Sequence, residues 1–243
     1  MDGTLTSQEK FTPLLLQTLT DLAANAIPVL IVTGRSAGWV QALVHYLPVA
    51  GAIAENGGVF YSRTGVTDAG ATELLSELEL SEHRQQLSRM FRHLQADFPQ
   101  IQASTDNPFR LTDWTFDVKG LSLAELKQME TQCRSEGWGF TYSTVQCHIK
   151  PLQQEKSTGL KFVLERYFPE VTLDQVVTVG DSPNDQSLFD PENFPISVGV
   201  ANIRHYADTM QHLPAYITEA EAVEGFCQLA LLLQNRAAFA SNS

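Results

Sequence analysis

Apolar residues recur at helical spacing in one stretch and run without interruption in the next, and this alternation repeats along most of the chain. Leu15, Leu19, Leu22 and Ala26 fall on one face of a 3.6-residue period. Thr12-Pro13 ahead of them offers a capping hydroxyl, then a residue whose missing N–H costs a first turn nothing. The spacing predicts an amphipathic helix up to Pro28. Val29-Leu30-Ile31-Val32 is a short unbroken apolar run, as a strand buried on both faces requires, and it stops at Thr33-Gly34-Arg35. Ser36 is placed to cap a second helix with the stripe Trp39, Val40, Leu43, Val44 and Leu47, which Pro48 ends. A second buried strand, Ala52-Ile53-Ala54, runs into Glu55-Asn56-Gly57-Gly58. Later come a helix over 157–168, a strand over 176–179 that leads into Gly180-Asp181, a strand over 196–200 and two further helical stretches. Strands with continuous apolar sequence alternating with helices imply an α/β fold, a doubly wound parallel sheet covered on both faces.

Between about Tyr61 and Lys150 the pattern changes. Ser81 is expected to open a helix carrying Leu87, Met90, Phe91 and Leu94, and Ser122 with Glu125 forms a capping box for another. Phe116 and Val118, then Val145, Cys147 and Ile149, alternate with polar residues as half-exposed antiparallel strands do. The expected organisation is a core from residues 1–60 and 151–243 with a small α+β unit, residues 61–150, inserted between its halves.

Composition changes this picture little. The chain has 243 residues, 43% of them hydrophobic and 18% charged, which suits one core domain with an insertion. A net charge of -12 makes the average surface repel nucleic acid and anionic membranes, so neither is an expected partner. A small anionic substrate therefore needs a local cation. Three widely spaced cysteines, Cys133, Cys147 and Cys227, and the lack of a membrane-length apolar run point to a cytoplasmic chain with reduced thiols.

The candidate chemistry lies in polar clusters. Thr33-Gly34-Arg35 and Gly180-Asp181-Ser182-Pro183-Asn184-Asp185 directly follow buried strands, where open α/β sheets place their ligand sites. Asp2-Gly3-Thr4-Leu5-Thr6 opens the chain, and Lys156 stands at the start of a helix, whose positive N-terminus favours an anion. Taken singly, Asp2-Gly3 reads as a turn, the 181–185 stretch as a solvated loop and Lys156 as a surface residue. In this order and at strand ends they read as a phosphate and metal site.

Asp-Gly-Thr-Leu, a strand-end Thr, an isolated Lys and Gly-Asp-x-x-Asn-Asp, in that order, resemble the four motifs of the haloacid dehalogenase superfamily over nearly the whole chain. The insertion is similar to the type IIB cap of Cof-like sugar-phosphate phosphatases. Glu55-Asn56-Gly57 and Gly180-Asp181-Ser182-Pro183-Asn184-Asp185 look most like the branch containing mannosylglycerate-phosphate and sucrose-phosphate phosphatases. The resemblance implies Mg²⁺-dependent hydrolysis of a small phosphorylated metabolite, a sugar or polyol phosphate, through an aspartyl-phosphate. It makes Asp2 the general acid and base and, through its backbone carbonyl, a metal ligand beside Asp181 and Asp185. Thr33, Gly34, Lys156 and Asn184 would hold the phosphoryl oxygens. Glu55, Asn56, Arg110, His148 and Lys150 are substrate-reading candidates, each weighed against a structural or surface role. Two other readings are a phosphomannomutase-like phosphomutase and a binding protein without catalysis.

One departure from the superfamily stands at the start. The nucleophile belongs two residues before Asp2, and Met1 takes the intervening position. The gene product is accordingly expected to begin several residues upstream, with a short apolar strand ending in Asp just before Met1. Residues 1–243 alone are expected to fold poorly and show no hydrolysis.

Overall fold

The computed structural model describes residues 1–63, 67–68, 77–143 and 145–240. Helix α1 (Pro13–Ala24) starts as expected, with Leu15 N–H donating to Thr12 Oγ1 at 3.2 Å, and buries Leu15, Leu19 and Leu22. It stops short of Pro28, because Ala26 adopts a left-handed φ of 55°. Strand β1 (Leu30–Val32), helix α2 (Ala37–Tyr46) and strand β2 (Gly51–Ala54) form a right-sized crossover, and β1 and β2 pair in parallel. The short turn after β2 leaves no room for a crossover. Strand β3 (Val59–Ser62) therefore returns antiparallel to β2, and β4 (Thr67–Asp68) pairs antiparallel with β3.

Residues from α3 (Glu77–Asp97) onward build a second layer. Strands β5 (Trp114–Asp117), β6 (Trp138–Tyr142) and β7 (Gln146–Pro151) form an antiparallel sheet in the order β5-β7-β6. Helix α4 (Leu123–Ser135) begins with the expected capping box of Ser122 and Glu125. Leu87, Phe91 and Leu94 of α3 pack with Phe116, Met129 and Cys147 in a hydrophobic cluster of their own. Helix α5 (Lys156–Tyr167), strands β8 (Val177–Gly180), β9 (Ile196–Gly199) and β10 (Tyr216–Ile217), and helix α6 (Ala222–Ala240) complete the chain. These last three strands are parallel, in the order β10-β9-β8. Among the described residues no helix is long and apolar enough to cross a membrane.

Three local expectations are corrected. Ser81 lies inside α3, which is already helical at Glu77. Trp39 is 49% exposed, with the Arg35 guanidinium 4.6 Å from its ring centroid, so the cation holds it outside the core. Ser36 stands at the N-cap of α2, yet its hydroxyl makes no capping bond. The Ala37 N–H donates instead to Glu55 Oε1 at 2.9 Å.

The mixed four-stranded sheet and the parallel three-stranded sheet do not pair with each other. β1 is the edge of one and β8 the edge of the other, and no described strand pairs with either outer edge. Between them lies a cavity of about 600 Å³, walled by Leu30, Ile31 and Val32 on one side and Val177, Thr178 and Val179 on the other. Met1 lines this slot and also lines the small polar cavity described next.

Candidate active site

The turn after β2 holds the site's geometry. Glu55 (φ 53°), Asn56 (φ 54°) and Gly57 (φ 106°) are all left-handed, a conformation that side chains other than glycine adopt at a cost of about 1–2 kcal/mol each. Surrounding bonds hold it in place. Glu55 N–H donates to Arg35 O at 3.0 Å and Asn56 N–H to Thr33 O at 2.9 Å, lacing the turn onto the loop after β1. The Glu55 carboxylate is fully buried and accepts from Ala37 N–H, Leu111 N–H (3.0 Å), Thr112 N–H (2.6 Å) and the Thr112 hydroxyl (2.8 Å). It thus caps α2 and ties the 111–112 segment to the core. Burial and the nearby Asp113 charge push its pKa up, against Arg110 and the backbone donors. Glu55→Ala would strand several buried N–H groups, so a loss of roughly 2–4 kcal/mol is expected. A thermal melt should show it as a fall of about 4–16 °C, and a fall below 2 °C would remove Glu55 from this role.

The other side of the turn meets α5. A Cβ on Gly159 would lie 2.6 Å from Gly57 Cα, and a Cβ on Gly57 would lie 2.2 Å from Glu155 O. Two glycines therefore let the first turn of α5 rest directly on the turn backbone, which places Lys156 beside the loop after β1. Lys156 is 2% exposed, and its Nζ donates to Asp185 Oδ1 at 2.6 Å.

The 181–185 loop organises itself. Asp185 Oδ2 accepts from Asp181 N–H (2.9 Å) and Ser182 N–H (3.2 Å). Ser182 Oγ donates to Asn184 Oδ1 at 2.9 Å, and Asn184 Nδ2 donates to Asn56 Oδ1 at 3.2 Å. The N-terminal turn closes the arrangement: Thr4 Oγ1 donates to Asp181 Oδ1, and Gly3 (φ 74°) lies where a Cβ would stand 2.3 Å from Asp181 Oδ2. Asp2 is gripped by Arg35, whose Nε and NH2 donate to Oδ2 and Oδ1 at 2.8 and 2.7 Å.

Asp2, Thr33, Gly34, Lys156, Asp181, Asn184 and Asp185 all line one polar cavity of about 20 Å³, room for roughly one water. His148 reaches the same cavity from β7. Asn56 is bonded to Asn184 at its border. Glu55 faces the 111–112 segment, and Arg110 is buried among Asp113 (2.8 Å), Asp106 (2.9 Å), Gln146 (2.9 Å) and Gly34 O (3.0 Å). Lys150 Nζ donates to Gln154 O and to Glu155 Oε1 at 2.7 Å. These three side chains are not among the cavity's walls.

Sequence reasoning gave no role to Arg35, Ser143, Gln146 and Ser182, which also line the cavity. Gln146 shares a strand face with His148, and the two-residue period was the available signal. Arg35 stood within a recognised cluster. Ser143 carried no signal.

The electrostatics divide the three acids. Burial pushes Asp2 up, but the bonds and charge of Arg35 oppose it, and the carboxyl is held below its ordinary range. Asp185 is likewise held low, because Lys156 more than offsets burial. Asp181, 1% exposed and beside the Asp185 charge, is pushed up to about 6. A buried carboxylate with too little positive charge around it suits a hard divalent cation, and the donors here are oxygens, as Mg²⁺ prefers. The residues present therefore fit that ion.

Comparison with known proteins agrees with the fold. A curated relative, a phosphoglycolate phosphatase of Methanothrix thermoacetophila, is 27% identical over 234 residues, 94% of this chain and 92% of its own. A haloacid dehalogenase-like hydrolase from Bacteroides thetaiotaomicron superposes with a TM-score of 0.67 at 15% identity, covering 96% of each chain. The sucrose-phosphatase from Synechocystis, solved with sucrose and phosphate, gives a TM-score of 0.68 at 15% identity and covers 94% of this chain and 93% of its own. The matching family model and the relatives define a phosphoric monoester hydrolase, and the fold is that of haloacid dehalogenase-like hydrolases with a cap. Within that class, the chain belongs to the Sucrose-6F-phosphate phosphohydrolase family, whose model matches residues 1–228.

Proposed function

We propose that this site hydrolyses the phosphate monoester of a sugar or polyol, with Mg²⁺, through an aspartyl-phosphate whose aspartate stands immediately before Met1. The observation that carries this reading is the convergence of Asp2, Thr33, Gly34, Lys156, Asp181, Asn184 and Asp185, from four separate segments, on one polar cavity. Support for the position of the nucleophile comes from Met1, which joins that cavity to a slot with strand edges on both walls.

In this reading the Gly34 N–H, the Thr33 hydroxyl, the Asn184 amide and Lys156 bind the phosphoryl oxygens, where their charge and donors count most as negative charge builds up. Asp181, Asp185 and the Asp2 carbonyl would hold Mg²⁺, which when bound offsets the repulsion between an anionic nucleophile and an anionic ester. Asp2 protonates the leaving oxygen and later takes a proton from water. Arg35 keeps Asp2 ionised, so protonation of the leaving group requires this ion pair to open, and the arriving ester supplies an alternative anion for Arg35.

Phosphate release from a panel of sugar monophosphates, measured on a chain extended upstream by an apolar strand ending in Asp, tests the reading. Release that depends on Mg²⁺ and on the added Asp is expected; a fully active extended chain with Asn in that place would overturn it. Lys156→Ala should weaken inorganic phosphate binding roughly 10- to 100-fold, since a buried cation held next to the site is lost. Calorimetric titration checks this, and unchanged affinity would remove Lys156 from the site.

A further inference from the structure

We propose that Asn56 and His148 together read a hydroxyl group of the substrate's leaving portion, next to the phosphoryl site. Both side chains converge on Gly34. A methyl group on Gly34 would stand 3.2 Å from Asn56 Nδ2, 3.1 Å from His148 Nε2 and 2.9 Å from His148 Cε1.

Asn56 is 1% exposed, and its Nδ2 has no hydrogen-bond partner among the described residues. The neighbouring bonds set its orientation: Ser182 Oγ donates to Asn184 Oδ1, and Asn184 Nδ2 donates to Asn56 Oδ1, so Nδ2 is the atom left over. A buried donor without an acceptor is costly, and native structures seldom leave one without a purpose.

His148 presents the opposite polarity. Its Nδ1 lies 2.8 Å from Asp113 Oδ2, and Arg110 NH1 holds the same carboxylate at 2.8 Å from Oδ1. Burial pushes Asp113 up, yet Arg110 and His148 outweigh it and keep Asp113 ionised, so it can only accept and Nδ1 must carry the hydrogen. Burial also keeps the imidazole neutral, against the pull of Asp113. Nε2 is then a lone-pair acceptor.

One donor and one acceptor flanking the same face of Gly34 match a group that both accepts and donates. An alcohol hydroxyl does so. A phosphoryl or carboxylate oxygen has lone pairs only; it would satisfy Asn56 and face the His148 lone pair. The pair therefore selects polyol and sugar esters over phosphorylated carboxylic acids. This inference rests on the proposed phosphatase reading and adds the chemistry of its substrate.

The test uses the full chain with Mg²⁺ and calorimetric titration of four ligands: inorganic phosphate, glycerol phosphate, its analogue lacking the middle hydroxyl, and phosphoglycolate. The deoxy analogue should bind about 10- to 100-fold more weakly than glycerol phosphate, and phosphoglycolate should also fall behind it. In His148→Phe that preference should shrink below about threefold. The ligand series needs no variant, so a misfolded variant does not rescue the idea. Phosphate binding with equal affinity for both glycerol-type esters, or with tighter binding of phosphoglycolate, overturns this inference and leaves the phosphatase reading standing. No binding of inorganic phosphate overturns that reading and this inference with it.

Discussion

Joining five apolar residues and an aspartate to the amino group of Met1 should raise the thermal midpoint by about 5–15 °C and bring Mg²⁺-dependent phosphate release above background. The slot between β1 and β8 is walled by apolar side chains and by two strand edges to which no described strand pairs. A strand entering it would bury about five side chains at roughly 1.5–3 kcal/mol each and pair both edges. Ordering its backbone costs about 1–2 kcal/mol per residue, which leaves a net gain of a few kcal/mol. For a chain of this size each kcal/mol moves the midpoint by about 2–4 °C. The control carries five alternating serine and glycine residues before the same aspartate. Equal midpoints for the two extensions would show that the slot does not take up an apolar strand. A raised midpoint without phosphate release would separate the packing argument from the catalytic one.

Asp181→Asn should change sign with metal. Without Mg²⁺ the variant should be at least as stable as the parent at neutral pH, because burial and Asp185 disfavour the charge at this position. Thr4 can still donate to the amide oxygen, so the replacement need not strand its hydroxyl. With Mg²⁺ the order should reverse: the parent gains stability by mass action, the variant loses about 100-fold or more in metal affinity, and in the upstream-extended chain the same substitution removes turnover. Paired melts with and without millimolar Mg²⁺ check both halves. A variant that is stabilised by Mg²⁺ as much as the parent would remove Asp181 from the metal site.

Where one period dominates, the sequence was readable. The β1–α2–β2 crossover and the capping box at Ser122 follow from local patterns that tertiary structure did not override. The cavity was legible too, because strand-end position marks ligand sites independently of composition. What escaped depends on distant groups. No local rule shows that Glu55, rather than Ser36, caps α2, since the carboxylate arrives from another loop. Trp39 fitted the helical stripe and was expected inside; only the three-dimensional position of Arg35 shows what holds it at the surface. Arg110, His148 and Lys150 looked alike as candidates in the inserted unit. The structure separates them by partners: Arg110 among acids, Lys150 on Gln154 and Glu155, and His148 with one ring edge against Gly34.

The contact between Gly57 and Gly159 links two events that would otherwise be independent. At one end the Glu55–Gly57 turn is bonded to the 111–112 segment, which leads into the antiparallel layer carrying His148. At the other end it bears directly on the helix turn that presents Lys156. With no side chain between the two backbones, there is no soft layer to absorb a displacement. A displacement of the antiparallel layer that pulls on Glu55 would be passed on to the turn that carries the Lys156 ammonium group. Under the proposed phosphatase reading, uncovering the site and loosening its hold on inorganic phosphate would then be a single motion, and the departure of product would be geared to the opening that admits the next ester.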